Sequence, residues 1–271
     1  MAVATPVKPV KPAKSAALNA ASGKASTAVA LKKPSGTSLV SIKEQMAQQL
    51  AGLAGRIAPA TGNMIRATQD KRIVLPDGTK LDSDGALAMV ILDFVVAHNF
   101  YEEGFDKDNI VPPGCFAIGT DPRKMAPSAN VPNKQSADCQ QCPMNAWDSG
   151  KGGKGKACNN ERLLAVLPAD ADEDTPIWLL KASKTAIKGF DSYVAGVART
   201  FQTMPIGVVT TVRLNPNVGY PSFEFSDAQP NPNLGVHFAR QAEATEMLNA
   251  TRDVSGYVPA SKTPPKKGVR R

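Results

Sequence analysis

Four cysteines in a segment poor in apolar residues constrain this chain more than any other feature. Residues 102–160 hold all four, at the spacing Cys115-x23-Cys139-x2-Cys142-x15-Cys158, among many Gly, Pro, Asn and Asp residues. A stretch of this composition cannot bury enough apolar surface to fold alone. The segment therefore needs another source of order, and thiolate ligation of a metal ion is one that cysteines can supply.

The spacing of the cysteines predicts a structural zinc site. Cys139 and Cys142 place two thiolates on one tight turn, and Cys115 and Cys158 would complete a closed tetrahedral shell. We expect one Zn²⁺ per chain, with no catalytic role, because four Cys ligands leave no open coordination position. Two alternatives stay open: four unconnected thiols, or a redox pair formed by Cys139 and Cys142.

A loop rich in glycine and lysine, Gly150-Lys-Gly-Gly-Lys-Gly-Lys-Ala157, precedes the last cysteine. It nearly matches a phosphate-binding P-loop, but Ala157 lacks the hydroxyl group that would hold Mg²⁺. We therefore expect a basic loop that contacts backbone phosphates rather than a nucleotide-hydrolysing site. The side chains predicted to contact phosphate are Lys151, Lys154, Lys156 and Arg162. The alternative is a solvated lysine loop.

Positive charge is concentrated at the two ends of the chain. Residues 1–37 contain six Lys and no acidic residue, and residues 262–271 contain five Lys or Arg and no acidic residue. The two arms together carry a charge of +11. Because the net charge of the whole chain is +8, the rest of the chain carries −3. Basic arms on a near-neutral body suit a polyanion such as nucleic acid, although solubilising linkers have a similar composition.

Composition and periodicity divide the chain into five parts. The predicted parts are a disordered basic tail (1–37), an N-terminal helix (38–60), a core (61–235) with a zinc-binding insertion at about 111–160, a C-terminal helix (236–252) and a second disordered basic tail (253–271). No apolar run is long enough to cross a membrane, and no signal peptide is recognisable, so we expect a cytosolic protein without a membrane partner.

Within the core, the pattern predicts five strands with one helix between the third and the fourth. The predicted strands are Leu87–Tyr101, Arg162–Leu167, Ile177–Ala182, Val208–Leu214 and Tyr220–Phe225, after a short hairpin of Met64–Ala67 and Arg72–Leu75. For Leu87–Tyr101 a helix is the alternative on apolar content alone. The predicted helix is Lys184–Phe201, which Ser183 can cap. This is the order of the OB-fold, a small Greek-key barrel. We predict a mainly β (α+β) chain with an OB-fold-like five-stranded barrel, and an unrelated α+β sheet is the alternative.

In such a barrel, the first and last loops between strands flank the ligand groove. Here these loops would be the cysteine insertion and Asn215–Gly219. Trp147, Phe116 and Tyr220 are candidates for stacking on bases, although each would also suit a core. Three aromatic residues of alternating strands, Trp178, Phe223 and Phe225, are assigned to the core.

Several short motifs follow one another in the cysteine segment: Pro-Pro-x-Cys, Cys-x2-Cys-Pro-x-Asn, an aromatic residue, and Gly-Lys-Gly-Lys-Ala-Cys followed by a basic residue. The residues that carry them are Pro112, Pro113, Cys115, Cys139, Cys142, Pro143, Asn145, Trp147, Gly153, Lys154, Gly155, Lys156, Ala157, Cys158 and Arg162. Together they resemble a family of bacteriophage single-stranded DNA-binding proteins, over roughly residues 64–226. The basic C-terminus departs from the acidic tail that strand-binding proteins commonly carry.

The resemblance implies a non-enzymatic protein of phage DNA replication or recombination, acting in the host cytoplasm on single-stranded DNA and with other phage replication proteins. Residue chemistry is consistent with this, because such binding needs basic groups for phosphates and aromatic faces for bases. The alternative is a zinc-containing protein-interaction or transcription-regulatory factor that binds a polymerase or another replication protein. Catalysis is not expected, because no cluster of carboxylates for metal ions is recognisable.

Overall fold

Eight strands and three α-helices make up the part of the chain that the computed structural model describes, residues 63–102 and 111–257. The strands are β1 (Met64–Ala67), β2 (Ile73–Val74), β3 (Ala86–Phe100), β4 (Cys115–Gly119), β5 (Cys158–Pro168), β6 (Trp178–Ala182), β7 (Val208–Leu214) and β8 (Phe223–Pro230). The helices are α1 (Ile187–Phe201), α2 (Leu234–Ala239) and α3 (Gln241–Asn249), with 3-10 turns at Pro143–Asn145 and Pro205–Gly207. The predicted tail 1–37, helix 38–60 and residues 258–271 lie outside the described residues.

The fold is mainly β, with one mixed sheet that curls into a half-barrel. The strands are ordered β2-β1-β6-β5-β3-β7-β8, and β4 also pairs with β3. β1 and β6 run parallel, and the other pairs are antiparallel. Strand β3 has β5 along one edge, and its other edge pairs with β7 near its start and with β4 near its end. Strand β3 therefore pairs with three strands of the sheet.

Strand β3 is buried on both faces, as its long apolar run predicts. Met89 and Ile91 pack in a cluster with α1, whereas Val90 and Leu92 pack in a second cluster with α3. A register shift against β5 between Ile91 and Asp93 marks a bulge in this strand. One helix thus covers each face of the sheet, and β3 contributes to both cores.

Helix α1 begins three residues later than the sequence pattern predicts. The sequence predicts that Ser183 caps a helix from Lys184, but the N-cap residue is Ala186, which makes no side-chain capping bond. The carbonyl oxygen of Ser183 instead accepts hydrogen bonds from the backbone N–H groups of Ala186 and Ile187. Phe190 packs edge-to-face on Phe94 of β3, with the ring centroids 5.0 Å apart. This packing anchors α1 on the sheet.

Several predicted element bounds need correction. β8 begins at Phe223 rather than Tyr220, because the intervening Pro221 has no backbone N–H to donate to a ladder. The predicted C-terminal helix is two helices, α2 and α3, which meet at Arg240. The insertion is not wholly irregular, since its start forms β4, a strand of the main sheet.

The aromatic residues assigned to the core are in the core, and one predicted stacking candidate joins them. Phe223 and Phe225 are buried, and Trp178 packs partly buried against the same cluster. Phe116 lies on β4 and is only 2% exposed, with the Arg252 guanidinium 5.3 Å from its ring centroid. Phe116 is therefore a packing residue and cannot offer its face to a base. None of the described helices is long and apolar enough to cross a bilayer.

Candidate functional site

Sheet pairing brings the two isolated cysteines together. Phe100, the last residue of β3, pairs with Cys115 on one side and with Cys158 on the other. Residues in register on neighbouring strands project from the same face of a sheet, so both thiols lie on one face. The loop between β4 and β5 adds Cys139 and Cys142, and all four cysteines line one cavity of about 20 Å³.

The four thiols are unpaired and close enough to influence one another. Burial raises the pKa of Cys139 to about 11, and the negative charges of Cys115 and Cys142 add to the shift. Burial likewise raises the pKa of Cys158 to about 12, with contributions from the other three cysteines. Burial also raises the pKa of Cys115. The cavity thus disfavours ionisation of Cys115, Cys139 and Cys158, and a bound cation would reverse that effect.

The donor set of this cavity fits zinc, but its arrangement is not that of a closed metal site. Among residues 63–102 and 111–257, no three His, Cys, Asp or Glu side chains are placed so that they could hold a metal ion. Cys115 and Cys158 are separated by the intervening strand β3 at this level of the sheet. Metal binding would therefore require the thiol groups to move closer together.

His98 also lines the thiol cavity, and the sequence analysis missed it because it lies outside the insertion. Its ring is 4% exposed, and its Nδ1 has no hydrogen-bond partner among the described residues. Burial, with smaller contributions from Lys156 and Arg162, lowers the pKa of His98 to about 4. His98 is thus a neutral imidazole at physiological pH. His98 lies two residues before Phe100 on β3, so both side chains project from the same face of the sheet as the thiols that pair with Phe100. This spacing of two residues was the available signal in the sequence.

Asn145 connects the Cys-x2-Cys turn to the basic loop. Its Nδ2 donates to the carbonyl oxygen of Cys139 at 2.8 Å. Its Oδ1 accepts hydrogen bonds from Lys156 Nζ and from Asn160 Nδ2, both at 3.1 Å. The Asn of the Cys-Pro-x-Asn motif therefore positions a lysine ammonium group and a side chain of β5 relative to the cysteine turn.

The glycines of the basic loop allow a tight turn. Gly152, Gly153 and Gly155 have φ angles of 72°, 69° and 65°, in the left-handed region that favours glycine. Gly150 closes the turn by donating its N–H to the carbonyl oxygen of Gly155, and a Cβ atom there would lie 2.1 Å from the carbonyl oxygen of Lys154. The loop is therefore a defined structure rather than an open linker.

A groove of about 720 Å³ separates this loop from α1. Alternate residues of β5 project toward α1, so the start of that strand forms the floor of the groove. The lining residues that bear on its chemistry are Trp147, Lys156, Asn160, Lys184, Lys188 and Asp191. Three ammonium groups and one carboxylate give this groove a positive character. Cys158 lines both the groove and the thiol cavity, so the two sites adjoin.

Two of the predicted contact residues meet at the mouth of this groove. The Trp147 side chain is 76% exposed, and Lys156 Nζ lies 5.8 Å from the centroid of its ring. Lys151 and Lys154 are exposed on the loop but do not line the groove. Tyr220 is 48% exposed in the loop between β7 and β8. An exposed indole beside ammonium groups can stack on a flat, electron-rich ring.

Arg162, the remaining predicted contact, is already engaged. Its guanidinium forms a two-point ion pair with Asp191 of α1, and its side chain is only 12% exposed. The lysines of the opposite wall, Lys184 and Lys188, were missed by the sequence analysis. Their spacing of four residues at the start of the predicted helix was the available signal, since such residues share one helix face.

The connection from β6 to α1 lies across the groove from the cysteine insertion and contacts the end of the loop between β7 and β8. Lys184, in this connection, lines the groove together with Trp147 and Lys156. The next residue, Thr185, is hydrogen-bonded through its hydroxyl group to Ser222, at the end of the loop between β7 and β8. A smaller cavity of about 260 Å³ shares Asn160 and Lys184 with the groove and extends it across β5 and β6.

Comparison with known proteins gives no independent guide to this site. The chain has no significant match to a protein-family model, to a curated protein or to a solved structure. Any functional assignment therefore rests on the side chains that the fold brings together.

Proposed function

We propose that this chain is a non-enzymatic protein that binds single-stranded DNA in the groove between the glycine-rich loop and α1. The observation that carries the proposal is the exposed Trp147 ring at a groove whose two walls both carry lysines. An unpaired base offers a face for stacking, and its backbone offers phosphates to the ammonium groups. The motif resemblance extends the proposal to phage DNA replication or recombination in the host cytoplasm, with other phage replication proteins as partners.

Binding of this kind tolerates different sequences. Lysine contacts with phosphates carry no base information, and every base has a π face for Trp147. In this proposal Lys151 and Lys154 extend the positive field at the rim of the groove, and Tyr220 supplies a second stacking surface. Arg162 contributes indirectly, because its pairing with Asp191 compensates the carboxylate that lines the groove and would repel the phosphate backbone.

An OB-fold-like barrel is the architecture that best accommodates the proposal. Taken as strands one to five of that fold, β3, β5, β6, β7 and β8 make its four antiparallel pairings, β3–β5, β5–β6, β3–β7 and β7–β8. In the described residues β6 pairs with β5 and β1 rather than with β8, so the barrel is half open. The groove and its extension cross β5 and β6, which correspond to the face that binds oligonucleotides in OB-folds.

We further propose that one structural zinc ion, held by Cys115, Cys139, Cys142 and Cys158, stabilises the insertion. The convergence of four buried or half-buried thiols on one cavity supports this. A closed four-thiolate site would supply order to a segment with little apolar surface, and no chemistry beyond that. Through Asn145, a fixed cysteine turn also fixes Lys156 in the groove.

The test is the binding of a short fluorescent oligonucleotide of mixed sequence to the full chain, measured by anisotropy at several salt concentrations. We expect binding to the single strand, with an affinity that falls as salt increases. The matching duplex and a single strand of uniform composition are the comparisons. No binding to any single strand at low salt would reject the proposal, and equal affinity for the duplex would reject its stacking component.

One observation favours the alternative of a protein-interaction factor. Leu234 and Phe238 lie one turn apart on α2 and are 44% and 59% exposed. Met204, 55% exposed, immediately precedes the 3-10 turn that α2 contacts. Exposed apolar side chains grouped in this way are typical of protein interfaces. If Phe238→Ala abolishes copurification of a replication protein while oligonucleotide binding is undetectable in the wild type, the alternative replaces the DNA-binding proposal.

A further inference from the structure

The start of α1 and the connection that precedes it form the wall of the groove opposite the glycine-rich loop. Lys184 and Lys188 both line this wall and are both exposed. Among the described residues, the ion pairs involve other side chains, so neither ammonium group is neutralised by a carboxylate. Lys156 faces the same groove from the loop side. Uncompensated positive charge therefore lies on both sides of one groove.

Helix stability does not explain these lysines. Positive charge near the beginning of a helix is unfavourable, because the exposed N–H groups there already carry partial positive charge. The first turn of α1 contains no acidic residue, and its N-cap makes no side-chain hydrogen bond. Residues that work against the local electrostatics of a fold are often kept for a ligand.

We propose that Lys184 and Lys188 are phosphate-binding residues, which hold the backbone of a single strand against the glycine-rich loop. This inference rests on the proposed function and deepens it, because it assigns a second wall to the binding site. A strand in the groove would have Lys156 on one side of its backbone and Lys184 and Lys188 on the other. The base that stacks on Trp147 is thereby held from two directions rather than from the loop alone.

The Arg162–Asp191 ion pair reduces the negative charge that would otherwise repel a polyanion from this wall. Asp191 lies on the same face of α1 as Lys188 and lines the groove with it. Its carboxylate receives both donor groups of Arg162, at 3.1 and 2.8 Å, so its charge is largely compensated. The charge that a phosphate meets on this wall is therefore dominated by Lys184 and Lys188.

The experiment compares the full chain with the double variant Lys184→Ala/Lys188→Ala. Affinity for a fluorescent mixed-sequence single strand is measured at several sodium chloride concentrations. Each phosphate contact contributes about 0.7 to the slope of log K against log salt for single strands, so we expect the slope to become shallower by about 1.4. Arg199→Ala is the matched control, since Arg199 is an exposed cation on the same helix that does not line the groove.

The outcomes separate this inference from the proposed function. If the double variant has the same slope and affinity as a wild type that binds normally, the assignment of Lys184 and Lys188 as phosphate-binding residues is wrong. Single-strand binding itself would then still stand. An equal loss in Arg199→Ala would overturn the assignment too, since the effect would then be general charge. No binding by the wild type would overturn both. Lys184→Gln and Lys188→Gln, each expected to remove about 0.7 from the slope, replace the double variant if it unfolds.

Discussion

Arg162 on β5 donates hydrogen bonds from Nε and Nη2 to the two carboxylate oxygens of Asp191 on α1, at 3.1 and 2.8 Å. The pair joins the sheet to the helix beside the groove. A two-point guanidinium–carboxylate contact fixes both partners in orientation, which a lysine in place of Arg162 could not reproduce. The arginine that the sequence motif offered as a phosphate ligand therefore acts first on a carboxylate of its own chain.

This pairing predicts a coupled effect on DNA binding. Arg162→Ala should lower the affinity for single strands, because it leaves the Asp191 carboxylate uncompensated in the groove. Asp191→Asn should raise the affinity. In the Asp191→Asn background, the loss caused by Arg162→Ala should be smaller, and this coupling is measured in a double-mutant cycle by anisotropy. Equal losses in both backgrounds would show instead that Arg162 contacts phosphate directly. Stability should fall by only about 0.5–1 kcal/mol in Arg162→Ala.

Trp147 should affect binding without affecting stability. Its side chain is 76% exposed, so removing it loses little buried surface. We expect Trp147→Ala to cost about 1–3 kcal/mol of binding free energy and to leave the unfolding midpoint unchanged. Trp147→Phe is the matched control and should retain most of the affinity, because it keeps an aromatic face. A drop in thermal stability at unchanged affinity would make Trp147 a packing residue of the thiol cavity.

The metal proposal is tested through Cys139, which lies in the loop rather than in a strand. In Cys139→Ser the zinc content, measured by elemental analysis, should fall from about one per chain toward zero. Hydrogen exchange should then increase in the loop between β4 and β5, while β3 and β7 stay protected, because the sheet has its own apolar core. Ser136→Ala, a change in the same cavity without a thiol, is the control. A wild type without metal, in which all four thiols react readily, would contradict the proposal.

Two glycines should respond in opposite ways to the same substitution. In Gly150→Ala the new Cβ would lie 2.1 Å from the carbonyl oxygen of Lys154, so the basic loop cannot close and DNA affinity should fall. In Gly196→Ala nothing lies within 4 Å of the new atom, and replacing glycine inside α1 should stabilise the fold by about 1 kcal/mol. Thermal unfolding and anisotropy on both variants check this. Unchanged affinity in Gly150→Ala would show that the closed loop is not needed for binding.

Features set by neighbouring residues could be predicted from the pattern of the chain. The strands Met64–Ala67 and Val208–Leu214 were predicted with the bounds that the structure has, because alternating or apolar β-branched runs need only a pleated surface to bury one side. The Cys-x2-Cys turn and the basic loop are likewise local. The start of α1 was misplaced, since a possible cap at Ser183 competes there with a turn that uses its backbone carbonyl.

Contacts between distant segments depended on strand register and on where α1 lies. Cys115 and Cys158 lie on one face of the sheet, on either side of Phe100, because both pair with that residue, and a shift of one residue would turn a thiol to the other face. Phe116 is buried because its pairing with Asn99 of β3 fixes the face from which its side chain projects. The pairing of Arg162 with Asp191, and the lysines that face Lys156 across the groove, exist because a helix packs over one face of β5. Local pattern carries no information on such contacts, because their energy is gained only after the sheet has curled and the helix has docked.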